Sequence, residues 1–178
     1  MTQVSTLRDA AVEALDGLVA RYVGSHPKSG ELAEKAKAWL PGGNTRTGVD
    51  VDPFPVYLER GEGVCVYDVD GHQLLDFVNN NTALILGHAH PDVVEGLRRQ
   101  VGLGTAFSRP TPLEVELAEV LCERLPSLER LRFCSSGTEA VVQALRVAKT
   151  FTGKAKVAKF EGADHGVGEH AMVSYVPP

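Results

Sequence analysis

From Leu113 onward the spacing of apolar residues changes period several times. Leu113, Leu117, Val120 and Leu121 recur at helical spacing over about Pro112–Leu125. The run RLRFCS, Arg130 to Ser135, is short and β-prone. A second helical stretch follows from Gly137 to about Phe151, then a β-prone run at Val157–Phe160 and a last one in HAMVSYV from His170. Strands that alternate with helices argue for a parallel sheet covered by helices. Only two or three strands are present, and such a sheet needs more strands and more helices to be covered. The expectation is an α/β protein holding the first part of a mostly parallel sheet.

The half before it is patterned differently. Apolar positions from about Val4 to Val23 lie on one helical face, and a shorter helix is expected over about Glu31–Leu40, stopped by Pro-Gly-Gly. The first helix packs either on its own domain or on a partner chain. Phe54 to Val78 carries three β-prone runs. Gly61-Glu62-Gly63 separates the first two and Asp70-Gly71 the last two, which predicts a small antiparallel meander. The DVDG segment lacks the position-six glycine and the closing glutamate of a calcium loop. A helix is expected from Asp92 to about Val101, with Asp92 and Thr111 as N-caps of their helices. This divides the chain into an N-terminal helical segment with the meander, residues 1–80, and the start of an α/β domain, residues 81–178.

Composition sets bounds on partners. The chain has 178 residues, is 43% hydrophobic and 23% charged, and carries a formal net charge of −5 with no long basic run. A nucleic-acid groove or an anionic membrane surface is not expected as a partner. Cys65, Cys122 and Cys134 are far apart and form no zinc-type spacing, which fits a reduced, cytoplasmic setting. No signal-type or membrane-spanning stretch is expected.

The Ser-Ser-Gly-Thr turn at 135–138 is the most informative short motif. Ser136 and Glu139 have the spacing of a capping box, in which the hydroxyl accepts from the Glu139 N–H and the carboxylate reaches back. The same geometry suits an anion, because free N–H groups and the helix dipole attract phosphate. Spacing alone favours the cap. His88 and His90 have no further metal ligands at usable spacing, and a loop before a helix is the simpler reading.

Ordered motifs then bear on the choice. LPGGNTR (Leu40–Arg46), YDVDGHQLLDF (Tyr67–Phe77), LGHAHPDV (Leu86–Val93), LRFCSSGTEA (Leu131–Ala140), ALRVAKTFTGKAKVAKFEG (Ala144–Gly162) and DHG (Asp164–Gly166) resemble, in order, the N-terminal part of the class III aminotransferases. These are fold-type-I pyridoxal-phosphate enzymes, and the likeness is to the glutamate-1-semialdehyde aminomutase and β-amino-acid transaminase branch. The resemblance implies transfer of an amino group between an amino acid and a keto acid or semialdehyde, with pyridoxal 5'-phosphate as cofactor. Ser136, Gly137 and Thr138 would hold the cofactor phosphate, His165 would lie against the cofactor ring, and Arg46 would pair with the substrate carboxylate. It also implies a homo-oligomer, a dimer or larger.

Two departures qualify the resemblance. Asp164 stands where the family normally has a ring-stacking aromatic, so either His165 takes over the stacking, or the loop sits differently, or cofactor binding is weakened. Lys149, Lys154, Lys156 and Lys159 do not match the context of the family's Schiff-base lysine, which lies further along the family's chain. The expectation is therefore a truncated aminotransferase with no catalytic residue of its own, inactive alone. The alternatives are a non-catalytic cofactor-binding or dimerising module, or half of a split enzyme whose complementary chain carries the lysine.

Overall fold

A carboxylate removed from water needs hydrogen-bond donors, and the β-turn around Asp68 and Asp70 organises the first half of the chain by supplying them. The computed structural model describes residues 2–45 and 51–174. Two compact units are present, residues 1–105 and 106–178.

In the first unit, α1 (Thr2–Ser25) leads into α2 (Pro27–Lys37) and a 3-10 turn at Pro41–Gly43. The expected second helix thus starts and ends several residues earlier than the apolar spacing predicts. Pro27 sits at its first turn, where a missing N–H costs nothing. The next donors are taken by Asp70, whose Oδ1 accepts from Lys28 N at 2.7 Å. Its Oδ2 accepts from Ser29 N at 3.1 Å and from Ser29 Oγ at 2.7 Å. Asp70 therefore caps α2 from a turn more than forty residues away in sequence. Ser29 is fully buried and its hydroxyl oxygen also accepts from Tyr57 N at 3.2 Å. The α1 C-terminus docks through Tyr22, which donates to Phe54 O at 2.8 Å, with its ring tilted 5.3 Å from Phe54. The rest of its apolar face, including Val12, Leu15 and Leu18, is exposed.

The expected meander is present. Strands β1 (Leu58–Glu62), β2 (Cys65–Asp68) and β3 (Gln73–Leu75) form an antiparallel sheet in the order β1-β2-β3. Glu62 pairs with Cys65 and Cys65 with Leu75, and the β1 ladder shifts register between Leu58 and Arg60. The first turn is Gly63-Val64, so Gly61 and Glu62 belong to β1 rather than to the loop. Gly61 faces the His88 ring so closely that any Cβ would clash with it, at 2.5 Å from Cγ. Asp68, only 2% exposed, accepts from the His72 N–H and the His72 ring, both at 2.7 Å.

After β3 the chain makes one turn of left-handed helix, α3 (Asn79–Thr82), with φ between 46° and 68° at all four residues. Left-handed backbone is costly for most side chains and most tolerable for Asn, and three of the four are Asn. Asp76 Oδ1 holds the entry by accepting from Val78 N and Asn79 N, at 2.9 and 2.8 Å. Helix α4 (Pro91–Leu103) follows, capped in position by His90. Asp92 lies inside its first turn and is not the N-cap, because Pro91 already takes the first helical position.

The second unit holds α5 (Pro112–Arg124) and α6 (Gly137–Thr152). Thr111 is the N-cap residue of α5 by backbone, without a side-chain hydrogen bond. The β-prone runs at 131–134 and 155–160 form no ladder among the described residues, and 171–174 is turn rather than strand. Ladders of a parallel sheet need neighbours distant in sequence, and the strand signal in these runs is met here by backbone alone. Phe151 and Phe160 are 91% and 87% exposed, and Leu113 and Leu117 on α5 are about half exposed.

Two outcomes are expected. Exposed apolar surface of this extent drives association, so the isolated chain should self-associate in sedimentation velocity; a monodisperse monomer with a cooperative melt contradicts this. Acid should also loosen the first unit. Burial pushes Asp68 and Asp70 up, but hydrogen bonds from His72, and from Ser29 and Lys28, outweigh it and hold both below the ordinary value of 3.8. The His88 ring, then the Asn79 N–H, holds Asp76 below it too. The unfolded chain takes up these protons first, so the stabilisation is complete above pH of about 4 and is lost as pH falls further. Melts between acid and neutral pH should show that loss, and Asp70→Asn should lower the neutral-pH melting temperature and flatten the acid limb.

Candidate functional site

The turn before α6 is built by both halves of a capping box. Ser136 is extended (φ −154°, ψ 161°) and its Oγ accepts from Glu139 N at 3.1 Å. Glu139 Oε2 accepts from Ser135 N at 2.9 Å. At the other end Gly153 adopts the left-handed conformation (φ 67°) and donates its N–H to Lys149 O. Both ends of α6 are thus fixed by local sequence.

What the cap leaves over defines the site. Ser136 Oγ is occupied as an acceptor, so its O–H hydrogen is free to donate. Thr138 Oγ1 accepts from Val167 N at 3.2 Å, which leaves its hydrogen free in the same way. The Gly137 and Thr138 N–H groups have no protein acceptor among the described residues. Gly137 is exposed, with open space where a side chain would be. The donor set is two amides and two hydroxyls at the positive end of a sixteen-residue helix. That chemistry fits a phosphate dianion.

The segment after α6 folds back onto this turn. Gly166 has φ 82°, and a Cβ there would stand 2.9 Å from Thr138 Cα, so only glycine lets the two backbones meet. Asp164 Oδ1 accepts from Gly166 N at 2.8 Å. The residue that departs from the family pattern is thus the acceptor that shapes the loop. His165 lines a small cavity of about 170 Å3 with Val141, Leu145, Val157, Lys159 and His170. Ser136, Gly137 and Thr138 do not line that cavity, so the structure joins the His165 loop to the turn through Gly166 and Val167. Lys149 Nζ lies 2.9 Å from His170 Nε2, and Lys159 Nζ donates to the Ala171 carbonyl at 2.9 Å.

In the first unit, Arg46 lies outside the described residues. The residues just before it, Asn44 and Thr45, line a pocket of about 290 Å3 with Leu40, Pro55 and Tyr57. His88 is a structural residue, as the loop reading expects. It exchanges backbone hydrogen bonds with Gly63 at 2.8 and 2.9 Å, and its Nε2 lies 2.6 Å from Asp76 Oδ2. Two features escaped the sequence reading. One is the left-handed turn at Asn79–Thr82, for which the Asn run was a usable signal. The other is the convergence of His26, Asp68 and His72, whose separation in sequence left no signal.

The aminotransferase class-III family profile matches residues 47–175, and the chain belongs to this family. It is 45% identical over 148 residues to the glutamate-1-semialdehyde 2,1-aminomutase of Syntrophus aciditrophicus, covering 82% of this chain and 34% of that protein. Among solved structures, the β-phenylalanine aminotransferase of Variovorax paradoxus superposes with a TM-score of 0.85 at 36% identity, covering 93% of this chain and 39% of that one. A transaminase with PLP bound gives 0.82 at 48% identity, covering 84% and 35%. The chain therefore spans about a third of the length of the relatives it matches. Its fold is a partial fold-type-I aminotransferase.

The turn gives a direct prediction. Ser136→Ala should weaken binding of pyridoxal phosphate by roughly tenfold or more, the equivalent of one charge-assisted hydrogen bond at about 1.5–3 kcal/mol. Binding of unphosphorylated pyridoxal should not change, which separates loss of the phosphate contact from loss of the helix cap. Absorbance titrations of both compounds measure this.

Proposed function

We propose that this chain is the phosphate-binding portion of a pyridoxal-phosphate-dependent aminotransferase that moves an amino group between an amino acid and a keto acid or semialdehyde. The observation that carries the reading is the set of uncommitted donors at Ser136, Gly137 and Thr138. The Ser136 and Thr138 hydroxyls and the Gly137 and Thr138 amides grip the phosphate and fix where the rest of the cofactor can lie. When bound, the cofactor supplies an electron sink for removal of a proton from the carbon that bears the amino group. His165, on the loop that Asp164 and Gly166 hold against Thr138, would lie against the cofactor ring. Arg46 offers a planar guanidinium to the substrate carboxylate. An amino acid is the substrate class, and the names of the relatives make a β-amino acid and a glutamate semialdehyde the first donors to try.

The Schiff-base lysine is supplied by sequence other than residues 1–178, either in the same polypeptide or in a complementary chain. In support, Lys149 Nζ is engaged with His170 and Lys159 Nζ with backbone carbonyls. The working form is an oligomer, in line with the exposed apolar faces of α1 and α5.

The test combines cofactor binding with borohydride reduction and peptide mass spectrometry. The expected result is preference for the phosphorylated cofactor, no stoichiometric pyridoxyl-lysine within residues 1–178, and no transamination by these residues alone. One lysine labelled stoichiometrically, with turnover, overturns the assignment of the lysine elsewhere. Equal affinity for pyridoxal and its phosphate overturns the role of the turn.

A further inference from the structure

The chain gathers two imidazoles and a carboxylate at a point that aminotransfer does not use. His26 joins α1 to α2, Asp68 ends β2, and His72 precedes β3. Their nearest donor atoms all lie within 4.8 Å of one another. Asp68 Oδ2 is the centre, 2.7 Å from His72 Nδ1 and 3.6 Å from His26 Nε2.

The hydrogen bonds around the three side chains orient them as metal ligands are oriented. His26 Nδ1 lies 2.9 Å from both the Tyr22 carbonyl and Ser25 Oγ; the carbonyl can only accept and the Ser25 hydroxyl donates to that same carbonyl at 3.0 Å, an arrangement that favours the tautomer with the proton on Nδ1. In the neutral ring the Nε2 lone pair then faces the carboxylate oxygen. Two lone pairs facing each other call for a positive charge between them. A histidine whose second nitrogen donates to a backbone carbonyl is the usual outer-shell arrangement of a metal ligand. Asp68 has the equivalent feature, since its other oxygen, Oδ1, accepts from His72 N at 2.7 Å. The His26 ring is further fixed by stacking on Tyr22, with centroids 4.5 Å apart. The Asp68 carboxylate is shielded from water, whereas the His72 side chain is 42% exposed and leaves a route for entry.

We propose that His26, Asp68 and His72 bind a divalent transition-metal ion of the zinc type. Two imidazole nitrogens and one carboxylate oxygen suit Zn2+, Co2+ or Ni2+, with water at the remaining position. Ligand atoms at about 2.0–2.1 Å in a tetrahedral site stand about 3.3 Å apart. The His26 to Asp68 separation is already close to this. The His72 to Asp68 pair must open by about half an ångström, and the two imidazole nitrogens, within 4.8 Å of each other, must close toward that spacing; a turn of the exposed His72 ring away from Asp68 and toward His26 serves both. The ion would staple the α1–α2 junction to the meander, a place where Asp70 already ties the same two parts together.

The experiment uses the full 178-residue chain, free of any histidine tag and stripped with chelator. Titration with Co2+ is followed by visible absorption, and with Zn2+ by calorimetry and thermal melting. One ion per chain, a d–d band and a raised melting temperature are expected. His72→Asn keeps a donor at the Nδ1 position, and His26→Gln keeps an amide at the Nε2 position, so both preserve the fold while removing an imidazole. Each should weaken binding roughly tenfold or more and abolish the band, with circular dichroism unchanged. Absence of saturable binding, or binding that both variants leave intact, overturns the proposal. In the second case the ion sits elsewhere.

Discussion

Asp68 is a carboxylate at the centre of the first unit, and an ion taken that far from water costs several kcal/mol unless its oxygens are satisfied. The β2–β3 turn meets this demand by returning His72 to it through both backbone and ring. The same turn projects Asp70 into the open end of α2. One four-residue turn therefore fixes the pairing of two strands, the start of a helix and the position of the α1 C-terminus. A one-residue slip of β2 against β3 would turn Asp68 to the opposite face and lose all three. This is a polar solution to the shortage of apolar burial: Ala33 and Val66 are the buried apolar side chains of that unit among the described residues.

The second unit uses polar groups in a complementary way. In a capping box the hydroxyl serves as an acceptor, so the cap does not compete with an anion for the hydroxyl hydrogen. Capping and anion binding are thus compatible uses of one residue, and a sequence pattern that suits one also suits the other. Glu139 is drawn back to Ser135 N, which keeps a negative side chain hydrogen-bonded to the cap rather than free to approach the bound anion. Asp164 works similarly. As an aromatic it would offer a ring; as an aspartate it closes the turn that lets Gly166 touch Thr138.

Local chemistry was legible in the sequence and distant pairing was not. Ser136 and Glu139, the Gly153 stop, Asp70-Gly71 and the meander follow from residues that act on neighbours within a few positions. The early start of α2 did not, because its cap comes from Asp70, far along the chain. Asp92 was misassigned as a cap because Pro91 and Asp92 both suit a first turn, and only the backbone shows which takes the first place. The β-prone runs near Phe133 and Phe160 carry the right residue types for strands. Their ladders depend on neighbours that a periodicity cannot supply. Of the candidate site, the Ser-Ser-Gly-Thr turn and its adjoining loop were visible as motifs. The contact between Gly166 and Thr138 was not, since nothing in either tripeptide encodes the other.

That contact bears on how the turn functions. Neither extended run beside α6 is held in a ladder among the described residues, so the turn does not inherit its geometry from a sheet. It is set instead by Ser136 and Glu139 on one side and by the loop from Asp164 to Val167 on the other. Donors fixed by covalent neighbours and a single tertiary contact are ordered before a ligand arrives, and that part of the entropic cost of binding is already met. A phosphate would therefore find its amides and hydroxyls aligned even where the surrounding apolar faces are uncovered. Contacts to the rest of a ligand depend on surfaces assembled over longer distances, so under the proposed function recognition of the phosphate would come first.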